Sequence, residues 1–181
     1  MPVDHLNIVE RKLIDNLRTG TYNTASSTAN AWSASDVTVF GQFPTTTEVQ
    51  YPAIVSEMNA NGLETQFMGQ NITFGGSDTA AKGELYGVAF KIHIAVDRAS
   101  TITVSGEPYK ERRLLNYLML NCANVLMDLD FSNITKGATG TPAATEVDQR
   151  MFSGFRDLAY NPELELWMAT ASMVIVFKNS R

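Results

Sequence analysis

Residues 84–97 constrain the fold more than any other stretch of the chain. Val88, Phe90, Ile92, Ile94 and Val96 alternate with Ala89, Lys91, His93, Ala95 and Asp97. A strict period of two marks a β-strand with one face in a core and the other in water or against a partner. Such a strand needs neighbours, and the sequence supplies four. Residues 52–58 are short and apolar, 63–74 are mixed, 151–160 are moderate, and 163–178 are long and strongly apolar. In the last of these, Trp167, Met173, Ile175 and Phe177 oppose Leu164, Leu166, Met168, Val174 and Val176. Apolar residues on both faces predict a central strand or one covered by a neighbouring subunit.

Two helices complete the pattern. Leu6, Val9, Leu13 and Leu17 form one stripe over residues 4–19, with Asp4 as a candidate N-cap and Gly20 as the stop. Leu114, Leu115, Leu118, Cys122, Val125, Leu126 and Leu129 repeat at three and four over residues 108–129. The order helix, three strands, helix, two strands predicts an α+β fold. It would be an antiparallel sheet of four to five strands with both helices on one face. The whole chain reads as one domain, with residues 75–83 as a loop tip and 131–147 as a long loop.

Residues 20–50 stand apart. Between Thr19 and Thr47 the only charged residue is Asp36, and Tyr22 and Trp32 are isolated among Thr, Ser, Asn, Ala and Gly. Val37, Val39 and Phe40 can make a short strand, but the stretch as a whole reads as a long polar arm, uncommon in a compact domain unless functional. The chain has 181 residues, a net charge of −5 and 44 % hydrophobic residues, so a core is affordable and disorder is excluded. Charged residues are only 18 %, and 43 Thr, Asn and Ser fill the deficit, concentrated in the two neutral segments. An acidic chain without a basic run does not gain affinity by neutralising many phosphates.

No catalytic pattern emerges. The histidines are His5 and His93, and Cys122 is the single cysteine, which rules out an intrachain disulfide or a Cys-based metal centre. Gly75-Gly76-Ser77-Asp78-Thr79-Ala80-Ala81-Lys82-Gly83 lacks the Gly-Lys-Ser/Thr ending of a phosphate loop, and Ser105-Gly106 and Ser153-Gly154 lack a nucleophile elbow. His93, on the outward register of its strand, reads as a surface or interface residue. The first residues have no secretory-signal pattern and no apolar run reaches the ~20 residues of a membrane span. The expectation is no enzyme, no cofactor, no metal and no membrane, in a protein made and folded in a reducing cytoplasm.

The order of elements carries a resemblance. A helical N-terminus, a strand at Tyr51-Pro52-Ala53-Ile54-Val55, a hairpin into Tyr86-Gly87-Val88-Ala89-Phe90-Lys91-Ile92-His93-Ile94, a helix opened by Tyr109-Lys110-Glu111-Arg112-Arg113-Leu114 and a long final strand resemble the tail-terminator and neck proteins of tailed bacteriophages. The resemblance covers residues 4–19 and 50–178. It implies a structural virion protein that forms a six-fold ring at the head-proximal end of the tail. Its partners would be itself, the tail tube protein, head connector or neck proteins, and sheath protein in a contractile tail. DNA would pass through without specific binding. Alternatives are another neck, head-closure or tail-completion protein, or a small α+β enzyme or ligand-binding domain with a cleft at His93. Candidate contacts with a neighbour or the tube are Trp32, Phe40, Phe67, Met68, Phe74, Lys110, Arg112, Arg113 and Trp167. Removal of residues 21–35 is expected to impair assembly more than folding.

Overall fold

The computed structural model describes residues 5–44, 49–58, 64–73, 80–129 and 145–180. In chain order the elements are α1 (His5–Thr19), β1 (Thr21–Asn23), β2 (Thr28–Asn30), β3 (Thr38–Phe40), β4 (Ala53–Met58), β5 (Glu64–Thr73), β6 (Ala80–Asp97), β7 (Thr101–Val104), β8 (Glu107–Lys110), α2 (Glu111–Met127), β9 (Thr145–Asn161) and β10 (Leu166–Ser180). The class is α+β, as the periodicities require.

The alternating strand is β6, and it lies at the centre of the main sheet, ordered β3-β4-β6-β10-β9. β5 joins the same side of β6 as β4. Met58 lies opposite Phe90 and Glu64 opposite Gly87, so β4 and β5 follow one another along a single partner. Val88, Phe90, Ile92, Ile94 and Val96 are each fully buried, and each contributes roughly 1.5–3 kcal/mol by leaving water. Val9, Leu13 and Leu17 of α1 and Leu114, Leu118, Cys122 and Val125 of α2 join them in one core, which sets both helices on the same face. Ala169, Ala171, Met173, Ile175 and Phe177 of β10 close it, and Trp167 packs at its margin. β10 runs between β6 and β9, and on the face away from the helices its Val176 is buried and its Val174 half-buried.

The structure corrects the sequence reading at four places. The sheet is not wholly antiparallel, because Val39 pairs with Ile54 in a parallel β3–β4 contact. The second helix begins at Glu111. Ser105 and Gly106, with φ of 52° and 84°, form a two-residue turn that folds β7 onto β8 and takes Pro108 into a strand. Leu164 lies in the turn before β10 and is 61 % exposed. Residues 20–44 are the fourth case, since they are no free arm. They fold into the β1–β2 hairpin and β3 and carry Ala31, Trp32, Val37 and Val39 into the core.

Polar anchors do what a sparse apolar pattern could not. Trp32 donates its indole N–H to the Leu17 carbonyl at 3.2 Å, Tyr117 its hydroxyl to the Ala31 carbonyl at 2.6 Å, and the Asn23 N–H meets Asp128 at 2.6 Å. Removing residues 21–35 would therefore take out core side chains as well as polar surface, so folding would fail before assembly is reached. The suggested cap at Asp4 and the residues 131–144 of the long loop lie outside the described residues.

Gly20 is the hinge of this packing. Its φ is +59°, and a Cβ there would sit 2.5 Å from the Trp32 indole nitrogen. Gly20→Ala is expected to cost about 1–3 kcal/mol from strained backbone alone, with the clash adding to it. Chemical denaturation measures the loss; an unchanged midpoint would contradict the account of the segment.

Candidate assembly surfaces

Strand length governs what this fold leaves uncovered. β6 has 18 residues, which span about 60 Å at ~3.3 Å each. α2 has 17, which span only about 26 Å at 1.5 Å each. Fully buried side chains of β6 begin at Val88, and Tyr86 packs against the same cluster, stacked on Phe177, so by strand length it is the stretch before Tyr86 that runs on beyond α2. β5 pairs with that extension, and β10 and β9 follow it as far as Ser180 opposite Gly83 and Asn179 opposite Thr145. A four-stranded ribbon thus projects past the helix layer.

The face of the sheet away from the helices is the second surface. Alternation places Val55, Glu57, Ala89, Lys91, His93, Ala95, Thr170, Ser172 and Val174 on it. His93 accepts cover from Phe43, whose ring centroid lies 4.9 Å away, and its Nδ1 sits 3.1 Å from the Thr170 hydroxyl. Nε2 faces the Glu57 carboxylate at 3.6 Å, an ion-pair separation that is long for a hydrogen bond. Burial lowers the pKa of His93 from 6.5; Glu57 opposes the shift and Lys91 adds to it.

Glu57, His93 and Thr170 stand in one row across β4, β6 and β10. The row has a carboxylate, an imidazole and a hydroxyl, yet it lies on strands whose backbone N–H groups are spent in the ladder. Oxyanion stabilisation needs such donors free and aimed at the reacting atom. The row fits a structural bridge across three strands better than a catalytic relay. Cys122 is fully buried, and burial pushes its thiol pKa up, which suits a core residue. Among the described residues no group of three or more His, Cys, Asp or Glu converges to hold a metal. No helix among them is long and apolar enough to cross a membrane.

The nine sequence candidates scatter. Trp32 is 4 % exposed and belongs to the core, so it is withdrawn from any contact with a neighbour. Phe40 is half-buried on β3, next to the face that carries His93. Phe67 and Met68 stand on β5, opposite Leu85 and Glu84 in the projecting ribbon. Phe74 lies outside the described residues. Lys110, Arg112 and Arg113 are exposed where α2 begins, and Arg113 stacks 4.1 Å above the Tyr109 ring. Trp167 is half-buried against Tyr160, with ring centroids 4.9 Å apart. The ribbon candidates are close in space, whereas the basic helix start and Trp167 lie elsewhere.

Among the described exposed apolar residues that escaped the sequence reading, three are the most exposed. Leu120 and Met127 are each 66 % exposed and Met151 is 54 % exposed. The first two were legible, because they stand seven residues apart and off the core stripe of α2. Comparison with protein-family models and with curated protein sequences finds no match.

Because His93 has a lowered pKa, it is neutral in both folded and unfolded chains well above pH 6.5. As pH falls below 6.5 the unfolded chain takes the proton first, and stability declines until the folded-state pKa is passed. Denaturation midpoints should fall between about pH 7.5 and about pH 5, and fall less in His93→Gln. An equal fall in both proteins would contradict this assignment.

Proposed function

We propose that the chain is a structural virion protein that forms a ring at the head-proximal end of a bacteriophage tail. There it ends tail-tube polymerisation and joins the tail to the head connector. The observation that carries this reading is the ribbon that outruns its own helices. A strand about 60 Å long beside a helix of less than half that length leaves a projecting end. In a ring, one heterologous contact repeats until rotation closes it, and each subunit can cover what its neighbour leaves open. The element order that resembles tail-terminator and neck proteins points the same way.

The implied partners are further copies of the chain, the tail tube, and the connector or neck proteins above it. A sheath protein joins them if the tail contracts. Exposed Lys110, Arg112 and Arg113 at the start of α2 suit an acidic surface on one of these partners. With a net charge of −5, DNA in the lumen would be passed and not gripped.

Mass measurement and negative-stain microscopy of the purified protein test the reading. The expected result is a closed ring of about six subunits of 19.9 kDa that caps isolated tail tubes. A strictly monomeric protein that never associates with tubes would overturn it. A ring seated elsewhere in the particle would favour a head-closure or tail-completion role.

A further inference from the structure

We propose that the outer edge of β9, at residues 145–153, pairs antiparallel with the outer edge of β5 in the next copy of this chain. The sheet then continues from subunit to subunit through backbone hydrogen bonds. The inference rests on the ring reading for its partner, and names the two edges that meet.

The backbone accounting comes first. Among the described residues β5 pairs only with β6, and β9 only with β10. Every second residue of each strand therefore aims its N–H and carbonyl away from the sheet. Folded proteins blunt such edges with Lys, Pro, short strands or a covering element. β5 and residues 145–153 of β9 contain neither Lys nor Pro. The opposite end of the sheet is blunted on both sides. One edge there is β3, only 3 residues long. On the other, Gly154 and Asp157, with φ of 75° and 54°, interrupt β9 where its register shifts. The two long edges thus lie at the ribbon end.

Strand direction decides which edges can meet. β5 is antiparallel to β6, β6 to β10 and β10 to β9, so β5 and β9 run in opposite directions. Rotation about an axis along the strands keeps every direction. It sets β9 of one copy beside β5 of the next as another antiparallel pair, and the alternation continues unbroken. A two-fold pairing of β9 with β9 would leave β5 of each copy open. The heterologous pairing uses both edges, and contacts of that kind generate rings when rotation closes them.

The edges also match in length and height. β5 has 10 residues, about 33 Å, and residues 145–153 span about 30 Å. Glu64–Thr73 lies opposite Gly87–Ala80 of β6, while Thr145–Phe152 is level, across β10, with Glu84–Phe90. The offset is roughly three to four residues over four strands, a stagger of the kind that a tilted, closing sheet requires. Register shifts at Thr65–Phe67 and Met68–Gln70 of β5 and at Val147–Gln149 of β9 add the bend that curvature around a ring needs.

Disulfide trapping and amide hydrogen exchange test the proposal. Gln149, which is exposed, is replaced in one variant (Gln149→Cys), and each position of β5 is replaced singly by Cys in a second series. The fully buried Cys122 stays in place. Cross-strand neighbours have Cα atoms ~4.5–5.5 Å apart, within reach of a disulfide. Mild oxidation of mixed variants should give a covalent dimer at one or two β5 positions and none from either partner alone. In the unmodified protein, exchange over residues 64–73 and 145–153 should slow at least about tenfold on assembly. Dimers from Gln149→Cys alone would overturn the proposal by showing β9 paired with itself. So would exchange that is already slow along both edges in dilute monomer, which would show them covered within one chain. Rings without the mixed disulfide and without added protection would sink this contact and leave the ring reading standing. Open chains with the disulfide would do the reverse.

Discussion

The pairing of β6 with β10 holds the rest of the structure in place. It runs unbroken from Asp97 opposite Leu166 to Gly83 opposite Ser180. Its inner side presents Val88, Phe90, Ile92, Ile94 and Val96 beside Ala169, Ala171, Met173, Ile175 and Phe177, the floor on which both helices lie. The same ladder carries the ribbon past the end of that floor. One interaction therefore creates both the core and the surface that the core leaves unfinished.

What was legible in the sequence follows from how much apolar signal each element holds. The period of two at 84–97 and the stripes of both helices are dense, and all three elements appear where the pattern puts them, with shifts at their ends. The 20–44 segment is the opposite case. Its anchors are Trp32, Val37 and Val39, spread among Thr, Ser and Asn, and much of its attachment is hydrogen bonding to Leu17, Tyr117 and Asp128. Such bonds leave no periodicity to read. Trp32 misled for a related reason: an aromatic among small polar residues looks exposed until Gly20 permits the turn that buries it.

The candidate surfaces were only half legible. Phe67 and Met68 stand on β5, but the length of the ribbon is visible only once β5, β6, β9 and β10 are seen in register. His93 was correctly placed off the core face of its strand. Its cover by Phe43 and its link to Glu57 and Thr170 depend on pairing across three strands, which no local window contains.

The central claim is that this sheet is completed by another copy of the chain. A three-dimensional reconstruction of the self-assembled protein, at a resolution that separates helices from strands, tests it most directly. The account predicts the projecting ribbon in contact with adjacent subunits. An assembly in which the ribbon stands open to solvent would contradict it.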